Sequence, residues 1–254
     1  MKLLHSTILG SGQPFIILHG YFGMGDNWKS LGTKFSKNFE VHLIDQRNHG
    51  RSFHDEDFDY ELMVEDLYNY IQHYHLKFTI LLGHSMGGKV AMQFAVTYPE
   101  LVDKLIVADI SPRFYKPHHE GILAVLNAVN FSLHNTRKKV EDLVRIYIKE
   151  ENILQFLLKN VYWKSKGELA FRFNLQSLTQ HNSEVGAALP SFTHFEGETL
   201  FLKGENSNYI TEDDKPLIEV HFPNSKIVSV KNAGHWLHAE NPTQFYEEVI
   251  SFLT

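Results

Sequence analysis

The 254-residue sequence contains no cysteine. This absence excludes a disulfide framework, a thiolate nucleophile and a cysteine-ligated metal site, and it is typical of proteins of the cytoplasm, which is the expected location. The sequence also lacks any apolar run of about 20 residues, the length needed to span a bilayer. Its first residues, MKLLHSTILGSG, lack the apolar core of a signal peptide. We therefore expect neither a membrane span nor export.

Basic charge is scarce as well. The chain has 24 Lys and Arg against 30 Asp and Glu, a net charge of −6, which argues against a nucleic-acid partner. The distribution is uneven, because residues 113–195 hold 11 Lys and Arg but only 7 Asp and Glu. This basic segment could attract an anionic substrate. We favour the interpretation that these basic residues form a solvent-exposed helical face, because runs of charge on amphipathic helices usually face solvent.

Short, nearly continuous apolar runs recur along the chain. Such runs are typical of strands that are buried on both faces of a parallel sheet. Helical periodicity lies between them, in residues 60–76 and 241–253, and this alternation predicts one α/β domain whose mostly parallel central sheet is flanked by helices. The predicted strands are PFIILHG, VHLID, FTILLG, KLIVADI and TLFLKG, and the predicted buried helix positions are Met63, Leu67, Ile71, Tyr74, Phe245, Val249 and Phe252.

The alternation stops after Ile110. Residues 112–190 contain no convincing buried-strand run, but they contain amphipathic stretches at 120–131, 136–149, 152–163 and 168–180. The simplest interpretation is a helical cap, residues 112–190, inserted into a core formed by residues 1–111 and 191–254.

The segment FTILLGHSMGGKVAMQFAVTYP, residues 78–99, places a G-x-S-x-G pattern between a predicted strand and a predicted helix. A serine at such a junction sits in a sharp turn with a strained backbone, and Gly83 and Gly87 leave room for the neighbouring backbone. This context predicts that Ser85 is a nucleophile. The alternative is that Ser85 only caps the helix.

A serine nucleophile needs a base and a group that orients the base. His235 lies in NAGHWLHAENP, before the last predicted helix. In the chain order nucleophilic Ser, acid, His, the base occupies this position, so His235 is the predicted base and His238 is the alternative. The strand after the cap, TLFLKGENSNYI, carries Ser207 where an acid is usual. Asp109, at the end of KLIVADI, is therefore the predicted acid, although Glu205 or a purely turn-capping Asp109 are alternatives.

Two backbone donors should bind the oxyanion formed in such a reaction. The N–H of Met86 directly follows the nucleophile. The glycine turn HGYFG, residues 19–23, should supply the second donor from Tyr21, with Phe22 as the alternative.

His118 and His119 could suggest a metal ligand pair, but no ligands of suitable spacing accompany them, so a solvated loop and no metal site are expected.

The sequence resembles the α/β-hydrolase superfamily. The resemblance depends on four motifs that occur in the order typical of that superfamily: FIILHG, DQRNHGRS, GHSMGG and AGHW. More narrowly, DISP, GENSNYI and AGHWLHAENP resemble the YbfF-type esterases, a branch in which the acid has moved to the earlier strand. The resemblance implies an α/β-hydrolase fold with the cap after the sixth strand, hydrolysis of esters and thioesters, acyl-CoA among the candidates, and no cofactor. It also implies that Asp45, Arg47 and His49 form a structural turn near the site.

The expected function is therefore a serine carboxylesterase or thioesterase acting on a small molecule, in a monomer or small homo-oligomer. An aspartate nucleophile, as in dehalogenases and epoxide hydrolases of this fold, is excluded by Ser85. A carbon–carbon bond hydrolase with the same triad and a ligand-binding receptor remain alternatives. Candidate substrate-binding residues are Phe22, Phe114, Tyr162, Trp163 and Trp236.

Overall fold

A seven-stranded sheet forms the centre of the computed structural model, which describes residues 2–254. The strand order is β1-β3-β2-β4-β5-β8-β9, and all neighbours are parallel except the pair β1 and β3. The five predicted apolar runs all form strands of this sheet. The strands are β1 Ser6–Leu9, β2 Gln13–Leu18, β3 Phe39–Ile44, β4 Thr79–His84, β5 Val102–Ala108, β8 Glu198–Gly204 and β9 Ser225–Val230, with a separate hairpin of β6 Val161–Ser165 and β7 Glu168–Phe171.

Helices cover both faces of the sheet. Within residues 2–254 they are α1 Lys29–Phe35, α2 Tyr60–His73, α3 Met86–Thr97, α4 Glu120–Asn127, α5 Arg137–Tyr147, α6 Glu151–Leu158, α7 Leu175–Gln180, α8 Lys215–His221, α9 Leu237–Glu240 and α10 Pro242–Leu253. In α2, the predicted buried face is confirmed except at Tyr74, which is exposed because the helix ends at His73. None of these helices is long and apolar enough to cross a membrane.

The central strand β4 shows why continuous apolar runs predicted the sheet correctly. Every residue of β4 is buried. Leu81 packs into the hydrophobic cluster on one face, whereas Ile80 and Leu82 pack into the cluster on the other. Each such side chain contributes on the order of 1.5–3 kcal/mol when it is fully buried. The end of β4, where Ser85 follows, is therefore held in a rigid frame.

The segment between β5 and β8 differs from the prediction in two respects. It contains the hairpin β6–β7, so the helix predicted at 152–163 ends at Leu158, and residues 168–171 of the predicted helix 168–180 form a strand. Gly167, with φ +83°, makes the tight turn that joins the two strands. The segment also follows the fifth strand and not the sixth, because residues before Gln13 supply only the strand β1.

Candidate active site

Ser85 lies between β4 and α3 with φ 53° and ψ −118°, a backbone conformation that non-glycine residues rarely adopt. A Cβ atom on Gly83 would lie 2.1 Å from the carbonyl oxygen of Gly87, and one on Gly87 would lie 2.5 Å from that of Leu18. Only glycine fits at either position. The Ser85 side chain makes no helix-capping hydrogen bond, so the capping interpretation is wrong.

His235, in the loop between β9 and α9, lies between Ser85 and Asp109. Its Nε2 is 3.0 Å from Ser85 Oγ, and its Nδ1 is 2.9 Å from Asp109 Oδ2. Because a carboxylate can only accept, Nδ1 carries the hydrogen and Nε2 presents its lone pair to the serine hydroxyl. The structure thus brings together three residues that are far apart in sequence. The fallback histidine, His238, instead stacks on Trp28 with ring centroids 4.1 Å apart.

Asp109 directly follows β5, is fully buried and has φ 52°. Its Oδ1 accepts a hydrogen bond from the N–H of Gly204 at 2.9 Å, and its Oδ2 accepts from Ser207 Oγ as well as from His235. The N–H of Tyr209 donates to Ser207 Oγ, which leaves the serine proton to point at Asp109. The three donors offset the cost of burying the carboxylate. Ser207, which cannot act as the acid, thus helps to hold it.

Glu205, the alternative acid, faces a different loop. Its Oε2 accepts a hydrogen bond from the N–H of Asn232 at 2.7 Å. The side chain is exposed, whereas the Asp109 carboxylate is buried against the imidazole. Asp109 is therefore the carboxylate that the structure brings to His235.

The turn after β2 lies against the nucleophile. The N–H of Gly23 donates to the carbonyl of Gly20 at 2.9 Å, and Phe22 has φ 59°. A turn of this kind leaves the N–H groups of its two central residues, Tyr21 and Phe22, free for another acceptor. A Cβ on Gly20 would lie 3.3 Å from Ser85 Cβ, so the turn approaches closely. The N–H of Met86 is the first of α3 and has no acceptor within that helix.

The stretch DQRNHGRS is a buried support for this turn. Asp45 accepts hydrogen bonds from the N–H groups of Gly25 at 2.7 Å and Arg51 at 2.8 Å. The Arg47 guanidinium makes two bonds to Asp66, at 2.5 and 3.0 Å. His49 is also buried. These contacts agree with a structural role for the stretch.

A cavity of about 240 Å³ opens beside Ser85 and His235. Phe22 and Trp236 line it, as predicted. The helices α4 and α6 add four apolar residues that were not among the predicted substrate-binding residues: Ile122, Ile153, Phe156 and Leu157. Phe114, Tyr162 and Trp163 do not line it, so the structure does not bring these three candidates to the site. Phe114 and Trp163 are more than half exposed. Tyr162 stacks on the Arg172 guanidinium and, like Trp163, lies on the strand β6 outside the lining of the cavity.

The expectation of a solvated loop at His118 and His119 is wrong for His119. Its ring centroid lies 4.9 Å from that of Tyr21, and the residue lines the cavity. Across the described chain, no group of three or more His, Cys, Asp or Glu side chains is arranged to hold a metal ion.

Tyr209, in the loop after β8, is a neighbour of the site that sequence reasoning missed. Its ring stacks on the His235 imidazole with centroids 3.8 Å apart and an angle of 16°. Its hydroxyl lies 2.7 Å from His118 Nε2. The only sequence signal is its position two residues after Ser207, and it became informative only when the loop geometry was known.

We expect Tyr209→Leu to lower kcat by about 10-fold, because removal of the stacked ring frees the imidazole to rotate away from Ser85. Tyr209→Phe keeps the ring and loses only the contact with His118, so it should retain most of the activity. Both kcat and KM are measured with p-nitrophenyl hexanoate. Equal losses in the two variants would contradict a positioning role for the ring, and an effect on KM alone would indicate substrate contact instead.

Several histidines around the site are held neutral. Burial lowers the pKa of His19 to about 4 and those of His49 and His238 to about 3. Burial and the neighbouring His238 and His235 lower the pKa of His84 well below its usual range. A neutral His84 donates through Nε2 to the carbonyl of His235 at 2.8 Å and so helps to fix the His235 loop.

These lowered pKa values predict that stability falls as the pH falls below about 6.5, where histidines of the unfolded chain take up protons that the folded chain cannot. Each such group contributes up to about 1.4 kcal/mol per pH unit. The free energy of unfolding, measured with urea at pH 7.5 and 5.5, should therefore be lower at pH 5.5. His238→Gln should reduce this difference, whereas His194→Gln, at an exposed position, should not. Equal pH dependence in the wild type and His238→Gln would contradict the prediction.

Comparisons with known proteins agree with this architecture. A family model described as alpha/beta hydrolase fold matches residues 13–242. The chain is 38% identical over 253 residues to the sn-1-specific diacylglycerol lipase ABHD11 of Danio rerio, covering 96% of this chain and 79% of that protein. It is 32% identical over 246 residues to esterase YbfF of Escherichia coli K12, covering 96% and 94%.

A solved structure described as a marine microorganism esterase superimposes with a TM-score of 0.97 at 41% identity, covering 99% of this chain and all of that one. The resemblance to YbfF-type esterases is thereby confirmed. The family model spans most of the chain, and these relatives match nearly all of it. The chain therefore belongs to the alpha/beta hydrolase family.

Proposed function

We propose that this protein is a serine hydrolase that cleaves carboxylic esters, and acyl-CoA thioesters among them, through an acyl-enzyme. One observation carries the proposal: Ser85, His235 and Asp109 form a continuous hydrogen-bonded line, at 3.0 and 2.9 Å, on a strained turn beside an apolar cavity. The names of the relatives, an esterase and a lipase, support ester hydrolysis.

In the first half-reaction, Ser85 Oγ forms a bond to the acyl carbonyl carbon while its proton moves to His235 Nε2. Asp109 stabilises the imidazolium that results. The N–H groups of Met86 and Tyr21 would bind the negative charge that develops on the carbonyl oxygen. The bond to the leaving alcohol or thiol then breaks, and the leaving group takes the proton from His235.

In the second half-reaction, water attacks the acyl-enzyme. His235 Nε2 accepts a proton from the water as its oxygen bonds to the acyl carbon, and it returns that proton to Ser85 Oγ when the acid leaves. The products are a carboxylic acid and, from the first step, an alcohol or thiol. No redox or metal step is needed for this balance.

Residues 112–190 act in this proposal as a cap over the core of residues 1–111 and 191–254. Ile122, Ile153 and Phe156 give the cavity an apolar wall opposite the catalytic loop residues. Apolar walls of this kind favour an acyl chain.

The proposal does not use the positive charge of the cap to bind the substrate, because some of its basic side chains pair with carboxylates of the cap itself. Lys138 pairs with Asp142 at 2.9 Å, and Arg145 pairs with Glu141 at 2.7 Å and Glu151 at 2.6 Å. These pairs favour a solvated helical face over an anion-binding surface. Recognition of a thioester would then depend on its acyl chain.

The proposal is tested by rapid mixing with p-nitrophenyl hexanoate and hexanoyl-CoA, together with the intact mass of the enzyme after treatment with a fluorophosphonate. We expect turnover of the ester, a burst of nitrophenolate when deacylation is the slower step, and one covalent adduct that Ser85→Ala abolishes. An absence of turnover, with ligands that only raise the Tm, would favour the receptor alternative and contradict the proposal.

A further inference from the structure

Four planar side chains contact one another in succession, and the last of them is the imidazole of His235. The guanidinium carbon of Arg113 lies 3.8 Å from the centroid of the Tyr115 ring. The rings of Tyr115 and Tyr209 stack at 5.5 Å with 28° between their planes, and those of Tyr209 and His235 stack at 3.8 Å with 16°. These four residues form the stacked series. Because stacked rings favour particular relative orientations, the orientation of the imidazole is linked to that of Tyr115.

The Tyr115 hydroxyl holds the backbone on two sides of the site. It donates its hydrogen to the carbonyl of Tyr209, which can only accept. Its oxygen accepts a hydrogen bond from the N–H of Ser111 at 2.8 Å, and Ser111 is the second residue after Asp109. One buried hydroxyl therefore joins the segment that follows Asp109 to the residue whose ring lies on His235.

Tyr115 is itself held in a rigid frame. Lys89, which is buried in α3, donates from Nζ to the carbonyl of Arg113. The Nε atom of Arg113 lies 2.8 Å from the buried carboxylate of Asp214. The N–H of Tyr115 donates to the carbonyl of Gly186 at 2.8 Å, and a Cβ atom on Gly186 would lie only 1.9 Å from the carbonyl oxygen of Tyr115. These contacts leave the Tyr115 backbone little room to move.

Tyr209 depends on this frame for its position. Within residues 2–254, its other hydrogen bonds are from its N–H to Ser207 Oγ at 3.2 Å and between its hydroxyl and Nε2 of His118, an exposed residue. A displacement of about 1 Å near a catalytic group can lower the rate about 100-fold. The bond from the Tyr115 hydroxyl is thus well placed to keep the ring on His235.

We propose that Tyr115 is a positioning residue that acts on His235 through Tyr209. The proposal rests on the proposed ester hydrolysis, because it concerns the activation of Ser85 in that reaction. Tyr115 belongs to the inserted segment of residues 112–190, so this segment aligns the base as well as forming a wall of the cavity. Tyr115 does not line the cavity of about 240 Å³, and its effect is therefore on kcat.

Tyr115→Phe keeps the ring and removes only the hydroxyl. We expect it to lower kcat for p-nitrophenyl hexanoate by about 5-fold, with KM changed by less than about 2-fold, because the Tyr209 ring is released while the cavity keeps its shape. The rate of fluorophosphonate labelling of Ser85 should fall by the same factor, since it depends on the same base.

Tyr60→Phe is the matched control. The Tyr60 hydroxyl is buried and donates to the carbonyl of Val185 at 2.7 Å, so it also joins the core to the inserted segment. The Tyr60 ring is not part of the stacked series. This variant should lose a similar amount of stability, measured as Tm, and keep kcat within about 2-fold of the wild type.

A double-mutant cycle separates positioning from a purely structural role. If Tyr115 acts through the Tyr209 ring, its hydroxyl has no further effect on kcat once the ring is absent. Tyr115→Phe should therefore change kcat by less than about 2-fold when it is introduced into Tyr209→Leu. A structural role would give the same 5-fold factor in both backgrounds.

Unchanged kcat in Tyr115→Phe, an equal decrease in Tyr60→Phe, an effect on KM alone, or the same factor in both Tyr209 backgrounds would each overturn the proposal. Arg113→Lys provides the same cycle if Tyr115→Phe is unfolded, because it keeps a positive charge beside Asp214 and removes the planar group from the Tyr115 ring. We expect it to lower kcat by about 3-fold in the wild type and by less than about 2-fold in Tyr209→Leu. A wild type that neither hydrolyses the ester nor is labelled would be a failure of the proposed ester hydrolysis, and the positioning role would fall with it.

Discussion

Ser85→Ala is expected to lower kcat for p-nitrophenyl hexanoate by about 10⁴- to 10⁶-fold, because the change removes the oxygen that forms the acyl-enzyme. His235→Ala should cost a similar factor. In that variant Ser85 Oγ loses the base that lies 3.0 Å away. The measurement is kcat for the purified variants, with circular dichroism and Tm to confirm that each is folded.

The two residues act as one unit, which gives the prediction a sharper form. The double variant Ser85→Ala/His235→Ala should be no slower than the slower single variant, since either change alone already stops nucleophilic attack. Ser183→Ala and His194→Ala replace the same residue types at exposed positions and should keep wild-type activity. Near-normal hydrolysis by Ser85→Ala would end the serine-hydrolase proposal.

The sequence predicted the frame of this site well, for an identifiable reason. Strands such as β4 are buried on both faces, so their composition is almost wholly apolar and recognisable without any knowledge of their neighbours. Parallel strands bring their carboxyl ends to one edge of the sheet. Asp109 lies at the end of the predicted strand before the inserted segment, so the sequence could place it at the same edge as Ser85. The structure shows in addition that β5 lies directly beside β4.

The parts that the sequence did not predict depend on how short segments pack. Val161 and Leu169 are buried while Trp163 is exposed, but segments of four or five residues are too short to separate a strand period from a helical one. The contacts of Tyr209 with His235 and of Ser207 with Asp109 are set by the course of the loop after β8. No local pattern of residues encodes such contacts.

Asp109→Asn is expected to lower kcat by about 10²- to 10⁴-fold, and the donors around the carboxylate explain why. The N–H of Gly204 is fixed and must face an oxygen, so it holds the single oxygen of the asparagine. The amide NH₂ group then faces His235 Nδ1 and Ser207. Ser207 can rotate its hydroxyl to accept, but His235 can accept only in its other tautomer, with the hydrogen on Nε2. That nitrogen can then no longer take the proton of Ser85.

Glu205→Gln is the matched control, because it makes the same chemical change in the carboxylate that would be the acid in the alternative arrangement. Its side chain bonds to the N–H of Asn232, a contact that glutamine can keep through its amide oxygen, so kcat should change by less than about 2-fold. Both variants are compared with wild type by kcat at pH 7.5 on p-nitrophenyl hexanoate and by the rate of fluorophosphonate labelling of Ser85. Labelling reports the activation of the nucleophile without deacylation, so it should slow in parallel with kcat in Asp109→Asn if the tautomer is the cause. A larger decrease of kcat in Glu205→Gln than in Asp109→Asn would indicate that the catalytic acid is Glu205, which follows the strand β8.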